Sequence, residues 1–213
     1  MLVNSACLAA RFAVLFQICA GILSYKDDMA LKSTIFKAEL QISDMDRNCY
    51  GDHSLTIARH PSETDERMMV RILAFALHAD EALVFADSMG NDDEPSLWLK
   101  DLTGAIQVWI DVGQPDEKRI RRACGRAEQV IIFAYGGHGV DVWLNQIKSS
   151  LERSRNLSVI NLPAGAPPAL ARLARRSMKL QITIQDGQVW VADQQETVHL
   201  DLTNATSQSG RLF

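Results

Sequence analysis

Phe36, Ala38, Leu40 and Ile42 alternate with Lys37, Glu39, Gln41 and Ser43. A period of two is that of a strand with one covered and one wet face. A polar turn at Asp44 to Asn48 and a second strand around His53 to Ala58 follow. Beyond Arg59-His60-Pro61, Ser62 and Asp65 have the spacing of a capping box and predict a helix from Ser62 to about Ala79. Val70, Leu73 and Leu77 share one stripe of it, and Met68, Ile72, Phe75 and Ala76 cover most of the rest. Only an edge of Arg67, Arg71 and His78 is left polar. A helix so apolar belongs between layers.

The remaining pattern is that of an α/β chain. A short strand at Leu83 to Phe85 precedes the acidic run Asn91-Asp92-Asp93-Glu94-Pro95, and then a hairpin of Ser96 to Asp101 and Ala105 to Val112. A two-residue turn at Thr103-Gly104 sets Ser96 opposite Asp111, Trp98 opposite Trp109 and Lys100 opposite Gln107 on one face. Pro115 opens a predicted helix to about Gln129 with the apolar face Ile120, Ala123, Cys124 and Ala127, and a buried strand Val130 to Tyr135 follows. Gly136-Gly137-His138-Gly139, a helix from Val140 to about Leu151 and a strand at Leu157 to Leu162 complete a crossover unit. After a loop at Pro163 to Pro168 and a short helix to Ser177, strands at Leu180 to Ile184 and Val189 to Val191 are joined through Asp186-Gly187, a strong hairpin signal.

A length of 213 residues fits one hydrophobic core, and 47% hydrophobic with 23% charged residues excludes disordered, collagen-like and coiled-coil chains. The net charge of -4 excludes a broad basic coat and confines any nucleic-acid contact to a local patch. Cys7, Cys19, Cys49 and Cys124 show no paired spacing, and the five histidines are scattered. This usage suits a reducing, cytoplasmic setting and leaves no zinc cluster in the spacing. The apolar run Phe12 to Leu23 is short for a membrane span and lacks a small-x-small cleavage site, so no membrane association is expected. Residues 1–28 are read as an extension upstream of a start at Met29, residues 29–203 as the domain and residues 204–213 as a flexible tail.

Three features bear on chemistry. Glu66 lies on the stripe of Val70, Leu73 and Leu77, as either a structural carboxylate or a ligand. Asp111 sits mid-strand on the face that carries the tryptophans, an unusual place for an acid without a partner. Lys118, Arg119, Arg121, Arg122 and Arg126 project from the helix after Pro115 and form either a solvated face or a phosphate-contacting patch. The glycine-rich loop at Gly136 matches no nucleotide fingerprint and is read as a tight turn.

Several strings resemble the YaeQ family: Arg59-His60-Pro61-Ser62-Glu63-Thr64, Glu66-Arg67-Met68-Met69, Asp93-Glu94-Pro95, Trp109-Ile110-Asp111-Val112-Gly113, Pro115-Asp116-Glu117-Lys118-Arg119 and Gln185-Asp186-Gly187. The resemblance spans about Met29 to Thr203. It is to a functionally uncharacterised family similar in fold to the PD-(D/E)XK nucleases. It implies a mixed β-sheet flanked by helices, a restriction-endonuclease-like core with added N- and C-terminal strands. In that superfamily a helix glutamate, a Pro-Asp pair and an acid-x-lysine hold Mg²⁺, which aligns a water against a phosphodiester. Carried over, these become Glu66, Pro95-Ser96 and Asp111-Val112-Gly113, so one carboxylate and the lysine are missing. Asp93 or Glu94 is the candidate replacement ligand and Lys118 the candidate replacement lysine. Lys118, Arg119 and Arg122 are the candidate nucleic-acid contacts. The expectation is a degenerate nuclease-like site that binds nucleic acid or another partner without strong catalysis. The alternative is a Mg²⁺-dependent nuclease with a rearranged site.

Overall fold

A computed structural model describes residues 33–86, 93–203 and 206–207. Residues 1–28 and most of the expected tail lie outside them. The alternating segment forms β1 (Thr34–Asp44), and its reversal forms β2 (Cys49–Arg59). The buried helix is α1 (Asp65–Leu77). Then come β3 (Leu83–Phe85), β4 (Leu97–Lys100), β5 (Ile106–Val112), α2 (Glu117–Cys124), β6 (Ala127–Ala134), α3 (His138–Arg153) and β7 (Leu157–Asn161). The chain continues through α4 (Ala166–Ala171), β8 (Ser177–Gln185), β9 (Gln188–Ala192), β10 (Thr197–Asp201) and β11 (Thr206–Ser207).

The strands build two mixed sheets where the sequence suggested one. The five-stranded sheet has the order β10-β9-β8-β1-β2, and the six-stranded sheet has the order β11-β7-β6-β5-β4-β3. The added N- and C-terminal strands thus form a sheet of their own, closed by the parallel pairing of β1 with β8. Its inner face (Phe36, Ala38, Leu40, Ile42, Leu180, Ile182 and Val191) and one face of the other sheet (Leu97, Ile110, Val112, Ile131 and Phe133) share one core with α1 and α4. Every residue of α1 from Met68 to Leu77 is buried, as its apolar circumference requires. The other face of the six-stranded sheet packs Trp109, Val130, Ile132 and Val159 against Ile120 and Ala123 of α2 and Val140, Trp143 and Ile147 of α3. β6, central in the parallel part, reads as a nearly continuous apolar run because both its faces are covered.

Local chemistry moves several boundaries. Ser62 is not the N-cap of α1: its hydroxyl pairs with His60 Nδ1, and Thr64 Oγ1 accepts from the Arg67 N–H instead. Arg71, expected on a polar edge, is buried. Helix α2 ends at Cys124 with Gly125 as its C-cap, so Ala127 belongs to β6. The β4–β5 turn closes with Asp101 N–H on the Ala105 carbonyl and Gly104 at φ +88°, which makes it a three-residue turn. Lys100 accordingly pairs with Ile106. Gln107 is then the extra residue of a bulge that restores the expected pairing of Trp98 with Trp109. The Asp186-Gly187 turn is as predicted, with both residues at positive φ. Among the described residues no helix is long and apolar enough to cross a membrane.

Candidate functional site

The hairpin and α1 meet at a cleft of about 320 Å³, lined among others by Arg67, Arg71, Ser96, Asp111, Gln114 and Arg119. Paired register in β4 and β5 begins at Leu97 with Ile110. Ser96 instead donates its N–H to the Ile110 carbonyl at 2.9 Å, so Ser96 and Asp111 face the cleft as neighbouring walls. Side chains two apart on a strand share a face, which puts Asp111 beside Trp109 as expected. The indole Nε1 donates to Asp111 Oδ2 at 2.9 Å. The decisive partner is Arg119, whose Nε donates to Oδ2 at 3.0 Å and Nη2 to Oδ1 at 2.8 Å. Both oxygens of a carboxylate only 4% exposed are therefore held by one guanidinium.

Arg119 reaches Asp111 because α2 starts just beyond it: Asp116 caps the helix by accepting the Arg119 N–H at 2.7 Å. The same guanidinium donates to the Glu94 carbonyl at 2.6 Å. Arg122 pairs with Asp93 at 3.0 Å, and Arg126 donates to the Asp93 carbonyl at 3.1 Å. Asp93, and Glu94 through its main-chain carbonyl, are thus tied to arginines of α2 and to Arg126 just beyond its C-cap. Lys118 points from α2 into solvent and is absent from the cleft lining.

On the α1 side the residue reaching the cleft is not Glu66. Glu66 is half-buried in the first turn, where the helix N-terminus favours a carboxylate, and lies near Tyr135, whose hydroxyl pKa is pushed up by burial, with Glu66 adding a little. The cleft instead receives Arg67 and Arg71, which with Glu63 form a stripe at spacings of four. Glu63 and Arg71 are a buried pair, Oε2 to Nη2 at 2.8 Å, and Arg71 Nη2 also donates to the Ala58 carbonyl at 3.3 Å. Burial pushes the Glu63 carboxyl above its usual range, against the pull of Arg71 and Arg67. This cluster escaped the sequence reading. Its signal was Arg71 itself, a charge inside the apolar run Met68 to Leu77, which demands a buried partner.

Gly113 stands where the superfamily lysine would be. It has φ +108°, and a Cβ there would lie 3.0 Å from Arg67 Nη1, the group that donates to the Val112 carbonyl. The cation beside this position is thus a guanidinium delivered from α1. Gly113→Ala is expected to lower stability by about 1–3 kcal/mol through backbone strain, as measured by urea denaturation, and Gly113→Lys to behave no better.

Taken together, Glu66, Asp93, Glu94 and Asp111 do not fit a Mg²⁺ ion. Asp111 is held at both oxygens by Arg119 and at Oδ2 by Trp109, Glu66 is outside the cleft, and the Asp93 carboxylate pairs with Arg122. Among the described residues no three His, Cys, Asp or Glu side chains are grouped to hold a metal. The arrangement offers fixed guanidinium donors against a partly apolar wall.

Comparison with known proteins agrees with the architecture. The family model described as YaeQ protein matches residues 29–202. Proteins described as Uncharacterized protein YaeQ from Salmonella typhi and from Escherichia coli K12 are each 45% identical over 175 residues, covering 82% of this chain and 97% of the relative. A YaeQ protein crystal structure from Xanthomonas axonopodis pv. citri aligns with a TM-score of 0.77 at 50% identity, covering 79% of this chain and 96% of that one. One from Pseudomonas syringae aligns with a TM-score of 0.78 at 35% identity, covering 85% and 98%. With the family match covering most of its length and the same two-sheet, helix-flanked α/β architecture in those crystal structures, the chain belongs to the YaeQ family.

Proposed function

We propose that the cleft is a restriction-endonuclease-like site converted from phosphodiester hydrolysis to phosphate recognition, and that the protein binds nucleic acid in the cytoplasm without cutting it. The order α1, β3, β4, β5, α2, β6 supports the nuclease-like reading of the core. The observation that carries the loss of catalysis is the two-point grip of Arg119 on Asp111. Hydrolysis of this type needs carboxylates open to a metal and a group to manage the attacking water. Here the central carboxylate is committed to a guanidinium. Arg67, 29% exposed at the cleft mouth, and the arginines of α2 supply the donors that a phosphate backbone takes.

The test pairs binding with cleavage. Labelled single- and double-stranded DNA and RNA are incubated with the purified protein, with Mg²⁺ or Mn²⁺, beside Asp111→Ala, Arg67→Ala and Arg119→Ala. Salt-sensitive binding weakened by Arg67→Ala and Arg119→Ala, with no cutting, is the expected result. Robust cutting abolished by Asp111→Ala would overturn the reading in favour of a nuclease. Absence of binding to every substrate would also overturn it.

A further inference from the structure

Beside the cleft, the sheet leaves a row of two tryptophans and a valine partly uncovered. The register pairs Val84 with Trp98 and Trp98 with Trp109, so the three side chains stand in line on the face that packs against α2 and α3. Their cover falls away along the row. Trp109, wholly buried, lies in the cluster with Ile120 and Ala123 of α2, with the Arg126 guanidinium 5.7 Å from its ring centre. Trp98, one strand further out, is half-buried and packs against the edge of that cluster. Val84, on the edge strand, is 49% exposed. The exposed Lys100 places Nζ 3.3 Å from the centre of the Trp98 ring.

We infer that this shelf stacks the bases of single-stranded nucleic acid on Trp98 while α2 guides the backbone, an assignment that rests on the nucleic-acid reading of the adjoining cleft. Arg119 and Arg122 of α2, and Arg126 just beyond its C-cap, lead from the cleft at Asp111 to the Trp109 ring beside Trp98. A strand whose phosphates follow this line lays its bases over β4 and β3. Two strand spacings, roughly 10 Å, leave room for one or two of them. Lys100 exchanges its contact with the ring for one with a phosphate as a base takes its place. A duplex cannot use the shelf, because its base faces are already stacked on each other.

A second aromatic row crosses the open face of the five-stranded sheet, where the register aligns His199, Trp190, Thr183, Ser43 and Tyr50. Glu39, Asp52 and Asp201 share that face with Lys37 and Lys179, the latter paired with Glu39, so the balance there is acidic and disfavours a polyanion. The basic border is what singles out the Trp98 row.

The experiment compares fluorescence anisotropy of labelled oligo-dT and a duplex of matched length on the full chain and on Trp98→Ala, Trp98→Phe, Lys100→Glu and Arg119→Ala. Tighter binding of oligo-dT, weakened about tenfold by Trp98→Ala and largely kept by Trp98→Phe, is expected, with duplex binding unchanged by either. Lys100→Glu leaves the core intact and is expected to weaken oligo-dT as well, so the inference stays testable should Trp98→Ala misfold. Equal affinity for the two probes, or oligo-dT binding indifferent to Trp98→Ala and Lys100→Glu while Arg119→Ala weakens both probes, overturns the shelf and leaves the cleft reading standing. Equal weakening of both probes by Trp98→Ala assigns Trp98 a structural role and also overturns it. No binding of either probe overturns shelf and cleft together.

Discussion

Glu63→Ala is expected to cost the folded state about 3–5 kcal/mol, more than the loss of a surface ion pair would. Glu63 is 4% exposed and Arg71 2%, and truncating the glutamate leaves a guanidinium in the core with its counter-charge gone. What remains near Arg71 is one 3.3 Å bond to the Ala58 carbonyl and the ring of Phe85, 5.5 Å from the guanidinium carbon. Neither replaces a carboxylate. Glu63 Oε1 and Arg71 Nε already lack a hydrogen-bond partner, so the pair carries desolvation that its geometry does not fully offset. Replacing both residues, Glu63→Leu with Arg71→Met, is therefore expected to fall far closer to the natural protein than the single variant does. Urea denaturation with unchanged m-values reads this directly. A single variant losing under about 1 kcal/mol would mean that the pair is not held as buried charges. Because Arg71 also lines the cleft, the double variant separates stability from ligand binding.

The pattern of polarity told which segments are strands and which of their faces are covered, but not which strands are neighbours. β1 announces one wet face in every second residue, and β6 announces two covered faces in its apolar run. Nothing in β1 says that its parallel neighbour is β8, whose partner residues lie well over a hundred positions away. Pairing follows from long-range closure of the core, which local periodicity does not encode. That is why one sheet was expected where there are two. The overextended α2 has a different cause. Ile120, Ala123, Cys124 and Ala127 have helical spacing, yet Gly125 caps the helix after Cys124, and Ala127, which continues that spacing, opens the apolar strand β6 instead.

The candidate site was legible where a residue contradicted its surroundings. Asp111 stood out as an acid on a tryptophan-bearing strand, and its buried bond to Trp109 explains why it is tolerated there. Its partner Arg119 was singled out for a different role, phosphate contact. Spacing could not show that α2 starts close enough to turn Arg119 back onto the strand. Glu63 and Arg71 were hidden by treating α1 as having a polar edge. A helix buried all round has none, and its charges must pair inside. Of Glu66 and Glu63, only three positions apart, the one preceding the N-cap is the buried carboxylate.

Acidification from pH 7 to pH 5 is expected to remove about 2 kcal/mol of stability through His78 alone. The imidazole closes the C-terminal end of α1, with its ring edge-on to Phe133 at 5.9 Å and no hydrogen-bond partner for Nε2. Burial is the main cause that pushes its pKa from 6.5 down to about 4, the positive charge of Arg47 adds to the shift, and Asp44 opposes it weakly. Asp44 is committed elsewhere, its Oδ2 accepting from Arg47 Nε at 2.7 Å, while Arg47 Nη2 reaches the Ala76 carbonyl at 3.4 Å. The folded chain therefore keeps His78 neutral where the unfolded chain protonates it. Stability from this residue is complete above pH 6.5, declines as the pH falls below it, and is lost once the pH passes about 4, when both states carry the proton. The full span is roughly 3 kcal/mol, and most ordinary carboxylates titrate below pH 5, which leaves the upper part of the window to histidine. His78→Leu keeps an apolar side chain against Phe133 and cannot titrate. Its unfolding free energy should fall by about 2 kcal/mol less between pH 7 and pH 5 than that of the natural chain. The same slope in both proteins would place the proton uptake at another residue.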